Sequence, residues 1–263
     1  EFQVGSSPDS FDETGNHLVQ KNCSQADLLE LGLVISKDTS GSRVYDRFRL
    51  RLMFPIWDSK GRVVGFGGRA LKKDEQPKYL NSPESPIYHK GDVLYGFDKA
   101  KQAVRDQDLA VVVEGYMDVM ASHQVGIRNV VASSGTALTE AQIKLIKRFT
   151  NNVAFAFDTD SAGQDALRLA VELGQHLDLN MRVIQVPEGK DPDECIQQDP
   201  ALWEESVKNA PTYLQYYLDE MKEKHDVSTL EGKKKALAEF LPLLRKAGAM
   251  ERDHFIKQLG FLL

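Results

Sequence analysis

Four short apolar runs separated by stretches of helical spacing constrain this chain more than any other feature. Leu109 to Val113 is the first, followed by helical spacing over Tyr116 to Gln124. Asn129 to Ala132 precedes Thr139 to Phe149, Asn152 to Phe157 precedes Ala162 to Leu177, and Met181 to Val186 is the fourth run. Leu109 to Val113, short, apolar throughout and bounded by polar residues, reads as a strand buried on both faces, and the other three runs follow it as strands in the same alternation. Strand alternating with helix implies a mostly parallel sheet with helices on its faces, so an α/β centre is expected.

The flanks follow other patterns. Ser24 caps a short helix leading into Leu28, Leu29 and Leu31. Arg47, Arg49 and Arg51 alternate with Phe48, Leu50 and Leu52, a strand pattern that puts the three arginines on one face. Asp58-Ser59-Lys60-Gly61 reads as a turn and Arg62 to Leu71 as the returning strand of a hairpin. Residues 74–92, with Pro77, Pro83 and Pro86, read as an irregular ordered loop, and Phe97 to Gln107 as a helix. Beyond Pro200 helical spacing covers Leu202 to Ala210, Thr212 to His225, Thr229 to Lys246 and Glu251 to Leu262. The expected plan is a basic mixed α+β subdomain over 1–106, an α/β subdomain over 107–200 and a helical, bundle-like tail over 201–263.

The net charge of −6 over 263 residues argues, taken globally, against a general nucleic-acid binder. Its distribution says otherwise: Arg43 to Lys90 carries a net +6 and Asn151 to Glu205 a net −9. A basic surface beside a carboxylate cluster suits an enzyme that grips a phosphate backbone and holds divalent cations, although two unrelated solvated faces would give the same sums. Only two cysteines, Cys23 and Cys195, are present, so neither a disulfide framework nor a zinc site is expected and a cytoplasmic location is. The longest apolar run, Leu109 to Val113, is far short of a membrane span, and no membrane association is expected. Beginning at Glu1 rather than Met, the sequence is expected to be a fragment.

In an open parallel sheet, ligands bind at the carboxyl ends of the strands. Three of these strands end in acid: Glu114-Gly115-Tyr116-Met117-Asp118 after the first, Asp158-Thr159-Asp160-Ser161-Ala162-Gly163 after the third, and Asp191-Pro192-Asp193-Glu194 after the fourth. Carboxylates gathered on one rim repel unless hard cations bind among them, and residues two apart in extended chain, such as Asp158 and Asp160, point the same way. Each acid also has a plain structural reading. Asp160 could cap a helix, Asp118 could favour a helix dipole, and Asp191-Pro192 could simply start a helix. Three acidic signatures on successive strand ends favour the metal site.

These signatures resemble those of the Toprim fold, shared by primases, topoisomerases, certain nucleases and recombination mediators. The upstream segments Tyr45-Asp46-Arg47-Phe48-Arg49, Gly65-Phe66-Gly67-Gly68-Arg69, Pro77-Lys78-Tyr79-Leu80-Asn81-Ser82-Pro83-Glu84 and His89-Lys90-Gly91 resemble the bacterial replicative primase catalytic core. The resemblance implies a Toprim-type mostly parallel sheet, with Glu114 as general acid/base or metal-linked carboxylate. It implies that Asp158, Asp160, Asp191 and Asp193, with Asp118, hold Mg²⁺ or Mn²⁺, two or more ions, and it points to no zinc here. Arg49, Arg69, Lys78 and Lys90, with Arg47, Arg51, Tyr79 and Asn81, are implied to contact template or nucleotide. Tyr79 could stack on a base or pack internally.

The implied activity is DNA-directed synthesis of short RNA primers from ribonucleoside triphosphates on single-stranded DNA by metal-dependent nucleotidyl transfer, at the replication fork. The family's zinc-binding module and its helicase-interacting helical domain are not recognisable, so the replicative helicase is expected to bind through a domain absent from this chain. A monomer is expected. The rivals are another Toprim chemistry, strand cleavage, and a non-catalytic binding module; Glu114 and all four aspartates argue against the module.

Overall fold

The computed structural model describes residues 1–38, 43–135 and 137–262. The amino-terminal part runs β1 (Gly5–Ser6), α1 (Glu13–Gln20), α2 (Gln25–Glu30), β2 (Val34–Ser36), β3 (Val44–Asp46), β4 (Arg51–Trp57), β5 (Val63–Ala70) and β6 (Tyr79–Asn81). Ser24 caps α2 as expected, its hydroxyl accepting from the Asp27 amide. The strands β1-β4-β5-β6 form an antiparallel sheet, and the β4–β5 hairpin pairs Phe54 with Gly67 and Arg51 with Ala70. The segment 74–92 is more ordered than a loop, because β6 adds to the edge of β5 with Tyr79 opposite Arg69.

The expected strand carrying Arg47, Arg49 and Arg51 on one face is not formed. Leu50 takes φ 46°, in the left-handed region that breaks a strand, and its amide bonds the Pro8 carbonyl. β4 starts only at Arg51, which points inward and is 3 % exposed. Its guanidinium donates to the Gly68 carbonyl at 3.1 Å, the Pro77 carbonyl at 2.9 Å and Glu75 at 3.2 Å. Arg51 therefore holds the hairpin to the following segment and is not free to track phosphates.

The centre follows the strand–helix grammar: α3 (Phe97–Gln107), β7 (Ala110–Val113), α4 (Tyr116–Gln124), β8 (Val130–Ala132), α5 (Glu140–Lys147), β9 (Asn152–Phe155), α6 (Ser161–His176) and β10 (Asn180–Val183). The sheet is parallel throughout in the order β10-β9-β7-β8. The strands alternate between two cores, as period-two geometry requires. Ala110 and Val112 pack with Val104 of α3, Ile143 of α5 and Leu167 of α6, while Val111 and Val113 pack with Phe54 and Ile56 of β4, Tyr116 of α4 and Trp203. The second core joins the two sheets into one body. It is also where the basic block meets the acids.

The chain continues as α7 (Pro192–Gln198), α8 (Pro200–Asn209), α9 (Tyr213–Lys224), α10 (Leu230–Lys246) and α11 (Ala249–Leu262). Proline opens α7 and α8, where its missing N–H costs nothing. Leu214, Leu218, Ala236, Phe240 and Phe255 carry the tail onto the first core, against the α6 side of the sheet. Among the described residues no helix is long and apolar enough to cross a membrane.

Candidate active site

β7 delivers Glu114 to the carboxyl edge of the sheet, and the adjacent strand β9 delivers Asp158. The Asp158 amide donates to Glu114 Oε1 at 2.9 Å, so the two acidic signatures meet directly. Gly163 in the first turn of α6 is required by this packing, because a Cβ there would collide with the Asp158 backbone. Asp160 caps α6 through Oδ1, which accepts from the Gly163 amide at 2.9 Å. Asp191 caps α7 in the same way, accepting from the Glu194 amide at 2.8 Å.

Asp118 is buried and ties two signatures together. Its Oδ2 accepts from the Gly115 amide at 2.9 Å and its Oδ1 from the Asp193 amide at 3.2 Å. Both oxygens are thus engaged with the backbone, which makes Asp118 the brace that holds the start of α7 against α4.

A cleft of about 650 Å³ opens over these groups. Glu114, Asp118, Asp158, Asp191 and Asp193 line one side, and Arg69, Lys78, Tyr79, Asn81 and Lys90 the other. Arg69 and Lys78 each lie 5.9 Å from the Tyr79 ring centroid, and Lys90 Nζ donates to the Gly135 carbonyl at 3.2 Å. Asp160, Arg47, Arg49 and Arg51 do not line it. Arg47 donates to the Asn81 carbonyl at 3.1 Å and so braces the wall from behind, while Arg49 lies 4.7 Å over the Phe11 ring and 5.3 Å over Tyr45.

Further residues of the cleft carry roles that the sequence did not assign them. Tyr116, buried against Phe54, donates from its hydroxyl to Asn81 Oδ1 at 2.7 Å and links the two walls. Gly67 on β5 leaves room for that ring, since a Cβ there would press into it. Lys190 and Glu194 pair at 2.7 Å on the rim. Ser134 and Gly135 follow β8, the one strand end without an acid, and the small-residue run Ser133-Ser134-Gly135 after an apolar strand was the available signal.

The electrostatics are strained in one direction. Burial, then Glu114, Asp191 and Asp160, push the Asp158 carboxyl up to about 7. Burial and the neighbouring Asp191 and Asp158 also push Asp118 up to about 7, against the amide hydrogen bonds that favour its charge. Burial lowers the pKa of Lys90 and raises that of Tyr79, the latter with help from Asp118, Asp193 and Asp191. Among the described residues no three His, Cys, Asp or Glu side chains already converge on a metal-sized point.

Comparison with known proteins accounts for this layout. Residues 1–101 match the model for the DNA primase catalytic core, N-terminal domain, residues 111–196 the Toprim-like model, and residues 214–260 the DnaB-helicase binding domain of primase. A DNA primase of Synechococcus elongatus is 40 % identical over 268 residues, covering 98 % of this chain and 38 % of the relative. The chain therefore spans about two fifths of the length of the curated relatives it matches. A crystal structure of a DNA primase domain from Pseudomonas aeruginosa superimposes with TM-score 0.82 at 39 % identity, covering 99 % of this chain and 83 % of that one. A DnaG primase catalytic domain bound to single-stranded DNA gives TM-score 0.82 at 37 % identity, covering 98 % and 84 %.

One expectation is overturned by these matches. The helicase-binding segment is not absent: it is matched over 214–260, which is α9 to α11. Amphipathic helices at 3.6-residue spacing look alike whether they close a core or receive a partner, so no pattern in the sequence separated the two. The Toprim-like segment implies divalent-cation binding, and the donor set fits it. It consists of hard carboxylate oxygens, the donor type that such cations take.

Proposed function

The chain belongs to the bacterial DNA primase family and spans its catalytic core, and from that membership we propose that it synthesises short RNA primers on single-stranded DNA from ribonucleoside triphosphates, at the replication fork in the cytoplasm. The observation that carries the reading is the single cleft in which Glu114, Asp158, Asp191 and Asp193 face Arg69, Lys78 and Lys90.

Glu114 is the base. With Oε1 fixed by the Asp158 amide, its other oxygen accepts the proton of the primer 3′-hydroxyl as that oxygen bonds to the α-phosphorus and the bond to the pyrophosphate oxygen breaks. Arg69, Lys78 and Lys90 hold the triphosphate and the template phosphates, giving affinity with little sequence choice. The burial that weakens the hold of Lys90 on its proton is relieved when phosphate arrives beside it. Tyr79, half-buried between Arg69 and the acids, offers a face to a base. Asp118 keeps Asp193 in register with Asp191. Magnesium or manganese, two or more ions held by the cleft carboxylates Asp158, Asp191 and Asp193, would supply charge neutralisation at the α-phosphate and lower the 3′-hydroxyl pKa, while Asp160 caps α6 beside them. The tail over 214–260 contacts the replicative helicase.

The test is incubation of the chain with single-stranded DNA, ribonucleoside triphosphates and Mn²⁺, with Glu114→Gln and Asp158→Asn as controls. RNA primers from the wild type alone support the proposal. DNA breaks, or binding without product in all three, overturn it.

A further inference from the structure

A second hollow, of about 350 Å³, lies among the β4–β5 turn, α3 and the end of α5. Lys60, Lys101, Arg105 and Arg148 line it together with Ser59 and Phe149. No carboxylate lines it among the described residues. The nearby acids are engaged by other groups: Asp58 pairs with Arg62 at 2.6 Å, and Asp106 accepts at 2.7 Å from Gln102, which also lines the hollow. Among the described residues none of the four cations makes an ion pair. Lys101 Nζ donates instead to the Ser59 carbonyl at 2.9 Å, and the Arg105 guanidinium lies 5.2 Å over the Phe149 ring.

Two of these cations have a local explanation. Arg105 is in the last turn of α3 and Arg148 caps α5, where positive charge offsets the helix dipole. Lys60, on a strand turn, has none, and Lys101, in the body of α3, has only its bond to the Ser59 carbonyl, which leaves its charge without a counter-ion. Four cations gathered around one concavity without an acid repel one another unless an anion enters. The hollow is also remote from the chemistry. α3 and α5 end where β7 and β9 begin, at the amino edge of the parallel sheet, whereas Glu114 and Asp158 follow the carboxyl edge. The strands of four residues between them put more than about 13 Å of sheet between the two edges.

We propose that this hollow is a second phosphate-binding site, taking either a phosphodiester stretch of single-stranded nucleic acid or the polyphosphate of a free nucleotide, without a part in nucleotidyl transfer. Phosphate replaces the missing counter-charge, and the contact of Arg105 with Phe149 keeps one guanidinium in place to receive it.

Lysine acylation read by mass spectrometry tests the site on the whole chain. The chain is treated alone, with a single-stranded DNA 16-mer, or with ATP, and the modification rates of Lys60 and Lys101 are compared; Lys78 and Lys90 report the catalytic cleft separately. The expected result is a fivefold or greater slowing at both Lys60 and Lys101. Slowing by DNA alone assigns the hollow to nucleic acid, and slowing by ATP alone assigns it to nucleotide. Arg105→Gln and Arg148→Gln, each alone and together, leave both reporting lysines in place and should reduce the protection at least threefold while Lys78 and Lys90 remain protected. Unchanged rates at Lys60 and Lys101 with both ligands, or protection that survives in every folded arginine variant, would overturn the proposal. Loss of protection only at Lys78 and Lys90 would count against the catalytic reading and not against this one.

Discussion

The Asp158 amide donates to Glu114 at 2.9 Å, which places two carboxylates side by side in a partly buried site. Glu114 is the largest charged contributor to the raised affinity of Asp158 for its proton. Glu114→Gln keeps an oxygen to accept the amide hydrogen bond and removes the repulsion. Without metal, the variant should be more stable than the wild type by at most about 1 kcal/mol, since solvent screens half-exposed pairs. That corresponds to a rise in Tm of about 2–4 °C. Primer synthesis should fall by about 10²-fold or more. Scanning calorimetry and a primer assay check the pair of outcomes; a variant that loses stability, or keeps activity, contradicts the arrangement.

The pH dependence follows from the same cluster. Folding raises Asp158 and Asp118 from 3.8 to about 7, so the folded chain holds their protons more tightly than the unfolded one. Their contribution to stability is complete below the unfolded value and is lost as pH rises through the folded one. The metal-free wild type should therefore lose Tm relative to Asp158→Asn between about pH 4 and pH 7, and millimolar Mg²⁺ at pH 7 should narrow the gap. A gap that stays flat across that window, or that widens with Mg²⁺, would show that these carboxylates are not mutually strained.

The order of strands and the acids at their ends were legible because a buried parallel strand is a short apolar run, and its carboxyl end is the next residue. Glu114 and Asp158 lie just past β7 and β9, whereas Asp191 lies eight residues beyond β10 at the start of α7, and the roles of all three came from the family resemblance. The basic wall was legible as charge but not as shape. A period-two pattern of arginines reads as a strand only if the backbone stays extended, and the positive φ of Leu50 ended it. Burial of a whole guanidinium, as in Arg51, depends on carbonyls from Gly68 and Pro77, which sequence spacing does not reveal. Tyr116 was hidden for a similar reason, because its partner Asn81 lies 35 residues away on another sheet.

Arg51 and Arg69 make opposed predictions although both are cations of the basic block. Arg51→Met leaves the buried Gly68 carbonyl, the Pro77 carbonyl and Glu75 without this donor, and should cost about 2–4 kcal/mol of stability. Among molecules still folded, the salt dependence of DNA binding should be unchanged. Arg69→Ala should barely alter Tm but weaken single-stranded DNA binding and reduce its log–log salt slope by about 0.7 for one lost phosphate contact. Urea melts and anisotropy titrations between low and moderate salt separate the two. The assignment fails if Arg51→Met folds normally and lowers the slope.

Tyr116→Phe tests whether the two walls must be held in register. The ring stacks on Phe54 at 4.9 Å and meets Tyr95 edge-on at 4.6 Å, so phenylalanine preserves the packing and deletes only the hydroxyl. Asn81 would keep its bonds to the Ser134 carbonyl and to Arg47, but its Oδ1 would lose a partner, at about 1 kcal/mol. Because β6 carries Tyr79 and follows Lys78, loosening Asn81 lets the triphosphate-binding wall drift relative to Glu114. Small misplacements of reacting groups lower the rate more than the affinity. The expected result is a fall in kcat of about tenfold with KM for nucleotide nearly unchanged. Gly67→Ala should reproduce the defect more severely, since its methyl group pushes the Tyr116 ring itself. Steady-state kinetics on both variants decide the matter: a KM effect without a kcat effect would mean that Asn81 and Tyr116 serve binding alone.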